Sequence, residues 1–245
     1  MPAMKVIWGF DNPPVLSNAV ATVGSYDGVH CGHHILLDEV IRRAKENNGE
    51  SVVLTFEPHP RITLGNDEGL QLLSTFEEKC RLLEQVGIDY VVVIPFDEAF
   101  SRLSREEFID NYMVGSLHIK QLVIGYNHHF GHNQKGDHSF LVEHTPLEVV
   151  EVAQYTDNGN KVSSTTIRKA LGEGALALAR QMLGHPYIII GMADEVGRVA
   201  TDKYKLLPCD GRYDCTINGK ASICEVRSGV LMQREYFSQK IEISL

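Results

Sequence analysis

Short apolar runs recur along the first two thirds of the chain, separated by segments whose hydrophobic residues have helical spacing. Such runs predict buried strands, at Val20–Val23, Val52–Phe56, Tyr90–Ile94, Gln121–Ile124 and Leu147–Val152. Between the first two, the apolar positions of residues 35–41 recur at the spacing of a helix face. Because strands that alternate with helices form parallel sheets covered on both faces, we expect an α/β fold.

Local signals mark where several helices begin and end. Thr75–Glu78 and Ser104–Glu107 both have the capping-box pattern, and Gly87 is placed to end the first of these helices. Residues 163–183 predict one or two short helices. These signals place helices between the predicted strands. The sequence contains no low-complexity segment and no internal repeat.

The pattern changes after Gly184. Tyr187–Ile190 and Tyr213–Ile217 predict strands, and Asn218-Gly219 is a strong hairpin-turn signal. Little helical spacing follows to Leu245. We therefore expect a first domain over residues 1–184 and a small, mostly β domain over residues 185–245.

Charge and cysteine content narrow the function classes. The chain has 245 residues and a formal net charge of −9, which disfavours a nucleic-acid partner because phosphate backbones are repelled. Its five cysteines form no CxxC pair, as expected in a reducing compartment. Nothing resembles a signal peptide or membrane span, so we expect a cytoplasmic protein with no membrane partner.

The most informative segment is the link between the first predicted strand and helix, residues 24–33. Backbone N–H groups at such a junction bind anions, and Gly28 and Gly32 allow a phosphate to approach closely. His30 and His33 are three residues apart and can face one ligand. A nucleotide phosphate site is indicated, although histidines at a helix start also serve as caps or core residues.

Four ordered motifs then carry a family resemblance. They are Val23–His33, the Phe-Glu-Pro-His-Pro of residues 56–60, Gly125–Gly131 followed by Gly136-Asp137, and Val162–Arg168. Together they resemble bacterial FAD synthetases, the FMN adenylyltransferase module of bifunctional riboflavin kinase/FMN adenylyltransferases in the HxGH nucleotidyltransferase superfamily. The resemblance implies a Rossmann-like nucleotidyltransferase domain that transfers AMP from ATP to FMN. FAD and pyrophosphate are then the products, and Mg²⁺ accompanies ATP.

The resemblance also implies roles for individual residues, with no resident metal ion and no covalent nucleophile. The residues expected to be catalytic are His30, His33, Ser164, Thr165 and Arg168. Those expected to bind the nucleotide or flavin are Gly24, Tyr26, Asp27, Gly28, His59, Asn127, Phe130 and Ser163. Plainer roles stay open: helix capping for the hydroxyl residues, loop support for His59, a turn for Asn127 and a solvated helix position for Arg168.

Two features depart from the family pattern. His128 stands where phenylalanine is usual, within a group of histidines (128, 129, 132 and 138) whose spacing also allows a zinc site. Residues 199–203, Val-Ala-Thr-Asp-Lys, replace the Pro-Thr-Ala-Asn stretch that holds magnesium nucleotide in the kinase half. We therefore expect residues 185–245 to be a short remnant of a riboflavin kinase domain, without kinase activity.

Other functions remain as alternatives. The chain could be a bifunctional enzyme that retains kinase activity, or a non-catalytic regulator that binds flavin or nucleotide. Adenylyltransferases for other mononucleotides share HxGH, but the second and third motifs belong to the flavin branch. Class I aminoacyl-tRNA synthetases share it too, but no KMSKS-like motif is present. The oligomeric state is not indicated.

Overall fold

The computed structural model describes residues 3–126, 138–157 and 160–245. Two compact units are present. The first comprises Met1–Tyr26, His33–Gly69 and Leu82–Tyr155, and the second comprises Asp27–Gly32, Leu70–Arg81 and Thr156–Leu245. Both units are therefore assembled from separate stretches of sequence, and the division near Gly184 stays a prediction.

A parallel sheet forms the centre of the first unit, as the strand–helix alternation predicts. Its strands are β1 (Lys5–Trp8), β2 (Val20–Val23), β3 (Ser51–Glu57), β4 (Tyr90–Pro95), β5 (Gln121–Gly125) and β6 (Glu148–Val152). They lie in the order β1-β4-β3-β2-β5-β6, and all neighbours are parallel. The five expected strands are confirmed. Edge strand β1, whose residues are mostly exposed, was not predicted from its sequence.

Apolar packing on the sheet explains why these strands have so few polar residues. All four residues of β2 and the first five of β3 are buried, as expected for strands covered on both faces. One large cluster joins Val23, Leu54 and Ile94 of the sheet to Phe108 and Met113. The motif residues that follow β2 thus leave a rigid, buried strand.

Two of the helices begin where the capping boxes place them, directly after Thr75 and Ser104. The helices are α1 (Cys31–Glu46), α2 (Pro60–Thr63), α3 (Phe76–Val86), α4 (Glu98–Ser101), α5 (Arg105–Glu107), α6 (His138–His144), α7 (Ser164–Gly172) and α8 (Leu176–Leu183). Ser104 and Glu107 form the expected reciprocal capping box, after which the chain continues as a π-helix, Phe108–Ser116. Across the described part of the chain, no helix is both long and apolar enough to span a membrane.

The end of the chain closes into a barrel in the second unit. Strands β9 (Ile188–Ala193), β10 (Arg198–Ala200), β11 (Gly211–Ile217), β12 (Lys220–Arg227), β13 (Val230–Met232) and β14 (Gln239–Ser244) pair in the cyclic order β10-β13-β12-β11-β14-β9. A small pair, β7 (Thr156–Asp157) and β8 (Asn160–Lys161), precedes α7. The expected β domain and the Asn218-Gly219 hairpin are confirmed, and the segment forms a complete ring of strands.

A fully buried ion pair links this barrel to the segment Leu70–Arg81 within the second unit. Lys205 Nζ lies 2.7 Å from Glu78 Oε2 with both side chains 0% exposed. The same ammonium donates to the carbonyls of Leu73 and Ile188, each at 2.7 Å. Glu78 Oε1 in turn accepts from Ile190 N at 2.7 Å. Burial lowers the pKa of Lys205, and the adjacent carboxylate opposes that shift.

We predict that Lys205→Met lowers the free energy of unfolding by about 3–5 kcal/mol, because one charge of a buried pair is left without its partner. Lys240→Met is the matched control: Lys240 pairs with Glu77, one residue from Glu78, but both side chains are 54% exposed. That change should cost about 1 kcal/mol or less. Urea titrations followed by circular dichroism measure both, and equal small losses would contradict a structural role for the buried pair.

Candidate active site

The turn between β2 and α1 contains several unusual backbone conformations. Tyr26, Gly28 and Val29 all have positive φ, at 48°, 80° and 40°. A Cβ atom added to Gly28 would lie 2.8 Å from Leu73 Cδ1 and 3.0 Å from Leu73 Cβ. Glycine is therefore required here by both backbone angle and space.

Asp27 organises the part of this turn that belongs to the second unit. Its Oδ1 accepts from Ser74 N at 3.0 Å, and its Oδ2 lies 2.6 Å from Nη2 of Arg168. The backbone carbonyl of Asp27 accepts the hydroxyl of Ser164 at 3.1 Å. Since the Asp27 side chain is only 7% exposed, its charge is neutralised chiefly by Arg168.

The residue after it, Gly28, is held from both sides. Its N–H donates to Ser74 Oγ at 2.9 Å, and its carbonyl lies 2.9 Å from Nε2 of His185. Together with Asp27 these contacts determine the position of the backbone that the sequence assigns to phosphate binding.

Arg168 is fixed at two points. Nε donates to the carbonyl of Gln71 at 2.6 Å, and Nη2 pairs with Asp27. Its side chain is 29% exposed. This geometry differs from that of a solvated helix residue: two of the five guanidinium donors are committed, and the plane of the group is set.

The start of α7 shows which hydroxyls serve the helix itself. Ser163 is its N-cap: Oγ accepts from Thr166 N at 3.3 Å, and Ser163 N donates to Thr166 Oγ1 at 3.0 Å. Ser164 bonds to Asp27, while Thr165 is exposed. The three hydroxyl residues expected at the site thus have different environments: one caps the helix, one bonds to the turn and one faces solvent.

His30 immediately precedes α1 and is 7% exposed. A Cβ at position 32 would lie 3.1 Å from its Cε1 and 3.2 Å from its Nδ1. The glycine between the two histidines therefore leaves room for the first imidazole ring, which gives a packing reason for that residue type.

The other histidine, His33, lies in the first turn of α1 and packs within the first unit. Its ring centroid is 5.0 Å from that of Tyr26, and its Nδ1 is buried. The Tyr26 hydroxyl is 2.5 Å from Thr22 Oγ1, and burial raises the pKa of Tyr26 above its usual range. Gly24 accommodates this tyrosine, since a Cβ there would lie 3.1 Å from its ring.

The remaining expected site residues are His59, Asn127 and Phe130. His59 caps α2, its Nδ1 accepting from Arg61 N at 3.3 Å. Asn127 and Phe130 lie outside the described residues, as do His128, His129 and His132 of the histidine group. Within the described ranges, no group of three or more His, Cys, Asp or Glu side chains could hold a metal ion.

Sequence reasoning missed three residues that support the turn: Gln71, Ser74 and His185. None belongs to a motif, and Gln71 and Ser74 are more than 40 positions from Asp27. The only local signal was the capping box at Thr75, which predicts an ordered backbone beside Ser74 but not its contact with Asp27.

Comparison with known proteins settles which family combines these motifs. The FAD synthetase family model matches residues 12–166. The chain belongs to the FAD synthetase family. The match begins before β2 and includes α7 as far as Thr166, so it spans Asp27 and Ser164.

Curated relatives agree with this assignment. The bifunctional riboflavin kinase/FMN adenylyltransferase of Buchnera aphidicola (Schizaphis graminum) is 37% identical over 203 residues, which cover 80% of this chain and 65% of that protein. The Escherichia coli K12 protein of the same name is 35% identical, with the same two coverages. That of Bacillus subtilis is 34% identical over 86% of this chain and 72% of its own length. The chain thus spans about 65% of the first two relatives.

Among solved structures, one described as a macrolide-efflux protein from Streptococcus pneumoniae has the same fold. It superposes with a TM-score of 0.86 over 98% of this chain and 89% of its own, at 22% identity. The likeness covers the parallel sheet and the barrel alike, so the fold class expected of this FAD synthetase family member is confirmed.

We predict that Gly28→Ala destabilises the protein by several kcal/mol, because it forces a Cβ onto Leu73 at a positive φ. Gly172→Ala in α7 is the matched control, since no atom lies within 4 Å of the added Cβ and no positive φ is involved. It should be neutral or slightly stabilising. Thermal melts compare the two, and equal melting temperatures would show that the Gly28 turn tolerates a side chain.

Proposed function

We propose that this protein is an FMN adenylyltransferase, which makes FAD and pyrophosphate from FMN and ATP. The observation that carries the proposal is the joint placement of Asp27, Ser164 and Arg168, from two separate family motifs, in one hydrogen-bonded network. Family membership and the names of its relatives support the same activity.

The reaction places few chemical demands on protein groups. An oxygen of the FMN phosphate forms a bond to the α-phosphorus of ATP, while the bond from that phosphorus to the bridging oxygen breaks. Pyrophosphate leaves with the electron pair. No covalent enzyme intermediate is needed, so catalysis depends on alignment and on stabilising charge in the transition state.

His30 and His33 donate hydrogen bonds to phosphate oxygens in this proposal. Both flank the start of α1, where the helix dipole also favours anions. Tyr26 has a supporting role, since its buried ring packs on His33. We infer that Tyr26 orients this histidine, and that its hydroxyl, paired with Thr22, does not bind the flavin directly.

Thr165, the N-terminus of α7 and Arg168 bind the leaving pyrophosphate in this proposal. Thr166 N is capped by Ser163, so anion binding falls to the N–H groups that precede it. The Asp27 carboxylate keeps the guanidinium in one orientation. Asp27 is therefore a positioning residue rather than a ligand of the cofactor.

Magnesium enters as its ATP complex. Mg²⁺ in such enzymes keeps several waters and needs only one or two protein carboxylates besides phosphate oxygens, which fits a site whose described residues form no cluster of acidic side chains. Its contribution when bound is to neutralise phosphate charge. The acidic chain and its five cysteine thiols further support a cytoplasmic enzyme that binds no nucleic acid.

We predict that the purified protein converts FMN and MgATP to FAD, and that riboflavin with MgATP yields no FMN. The second outcome follows from residues 199–203, which lack the nucleotide-binding stretch of the kinase half. Chromatographic separation of flavins measures both. Flavin binding without turnover would instead indicate a regulator, and steady FMN formation by protein free of contaminating kinase would indicate a bifunctional enzyme.

We predict that Arg168→Lys lowers kcat clearly and that Arg168→Ala lowers it further, by about 10²–10³-fold for a lost charge-stabilising group. A lysine keeps the charge but cannot bond Gln71 and Asp27 in one plane. Lys169→Ala is the control, because Lys169 is 74% exposed and its ion pair with Glu173 is long, at 3.8 Å. Steady-state kinetics and thermal melts together would exclude a catalytic role if the well-folded Arg168 variants kept wild-type rates.

A further inference from the structure

An open groove runs along the outer wall of the barrel. Its volume is about 1190 Å³, and its walls come mainly from β10, β12, β13 and the residues just after β13. The barrel interior takes the alternate positions of these strands, with Val199, Cys224, Val226 and Leu231 buried. Side chains between them point outward, which is how the groove is formed.

The groove is rich in arginine although the protein is acidic. Its charged lining residues are Arg198, Arg212, Arg227, Arg234, Glu225 and Glu235. Four arginines against two glutamates leave a formal excess of two positive charges in a chain whose net charge is −9. Because like charges repel, such a cluster is stabilised by an anionic ligand.

Most of these cations are not neutralised by the protein itself. Arg227 pairs with Glu225 at 2.7 Å, and Glu235 accepts the hydroxyl of Ser222 at 2.6 Å. Arg198, Arg212 and Arg234 are exposed, and their guanidinium groups form no ion pair or hydrogen bond with another described residue. The N–H donors of these three planar guanidinium groups are therefore available to a ligand in the groove.

Strand register gives the spacing of two of them. Arg212 lies opposite Glu225, Glu225 opposite Met232, and Met232 opposite Arg198. At about 4.8 Å per strand, the Cα atoms of Arg212 and Arg198 are about 14 Å apart. Both side chains can therefore reach one ligand of nucleotide size that lies across the strands.

The surface between the arginines is apolar. Ile223 and Val230 are 41% and 42% exposed, and Met232 lies in the same row as the arginines. Exposed apolar side chains of this kind can pack against the face of an aromatic ring, while guanidinium groups can donate hydrogen bonds to phosphate oxygens.

We propose that this groove binds an organic phosphate that carries an aromatic ring, of nucleotide class, at a site separate from the adenylyl-transfer residues. Residues 199–203, where the kinase half would hold its nucleotide, are not among the groove's lining residues. The concave shape and volume favour a small molecule over the flatter surface of a protein partner. The proposal does not depend on the proposed enzyme activity.

Equilibrium dialysis with ADP as the probe tests this site. Wild type is compared with the double variant Arg198→Gln, Arg212→Gln and with the control Lys220→Gln. The control removes a cation from β12, a strand that lines the groove, at a position outside the groove. We expect the double variant to weaken one ADP site about tenfold or more, from the loss of charge-assisted bonds. Lys220→Gln should bind ADP like wild type.

The count of sites separates this inference from the proposed enzyme. If the adenylyltransferase site also binds ADP, wild type has two sites and the double variant one. If the proposed enzyme function is wrong and that site does not bind ADP, wild type has one ADP site and the double variant has none. The groove site is still supported in that case. Identical ADP binding by wild type and the double variant overturns the inference. So does Arg198- and Arg212-dependent binding of a short poly-glutamate peptide without any of ADP, which would indicate a protein-docking surface.

Discussion

The buried pair of Glu78 and Lys205 is the interaction on which the second unit depends. Neither charge is accessible to water, so each requires the other and the surrounding backbone groups. Lys205 also bonds the Leu73 carbonyl, and Leu72 pairs with the backbone on both sides of Lys205. The segment from Gln71 to Glu78 is thereby fastened to the barrel end of the chain.

That segment in turn supports the candidate site. Gln71 accepts from Arg168, and Ser74 bonds both Asp27 and Gly28. A chain of contacts therefore runs from a buried ion pair, through ordinary loop backbone, to the turn that the family motifs mark. Every link is short and polar, so displacement of the segment would release Arg168 and the Asp27 turn together.

Most of the parallel sheet could be predicted from sequence, because strands such as Val20–Val23 are buried on both faces and contain little else than apolar residues. Edge strand β1 could not, since its mostly exposed positions have no such signal. The motifs located Asp27, Ser164 and Arg168, but not the pairing of Arg168 with Asp27, 141 positions apart. The burial of Lys205 could not be predicted either, because no local sequence pattern distinguishes a buried lysine from an exposed one.

In the barrel, too, local sequence predicts some strand pairings and not others. Its β11–β12 hairpin follows from Asn218-Gly219, a purely local signal. Closure depends instead on β14 pairing with both β9 and β11, and the β9 contact joins Ile188 to Ser244. The pairing of β10 with β13, which lie far apart in the sequence, likewise brings alternate residues of β10 to β13 onto one outer face and places Arg198 and Arg212 in the same groove. A charge cluster of this kind is a property of topology, so a linear charge pattern does not reveal it.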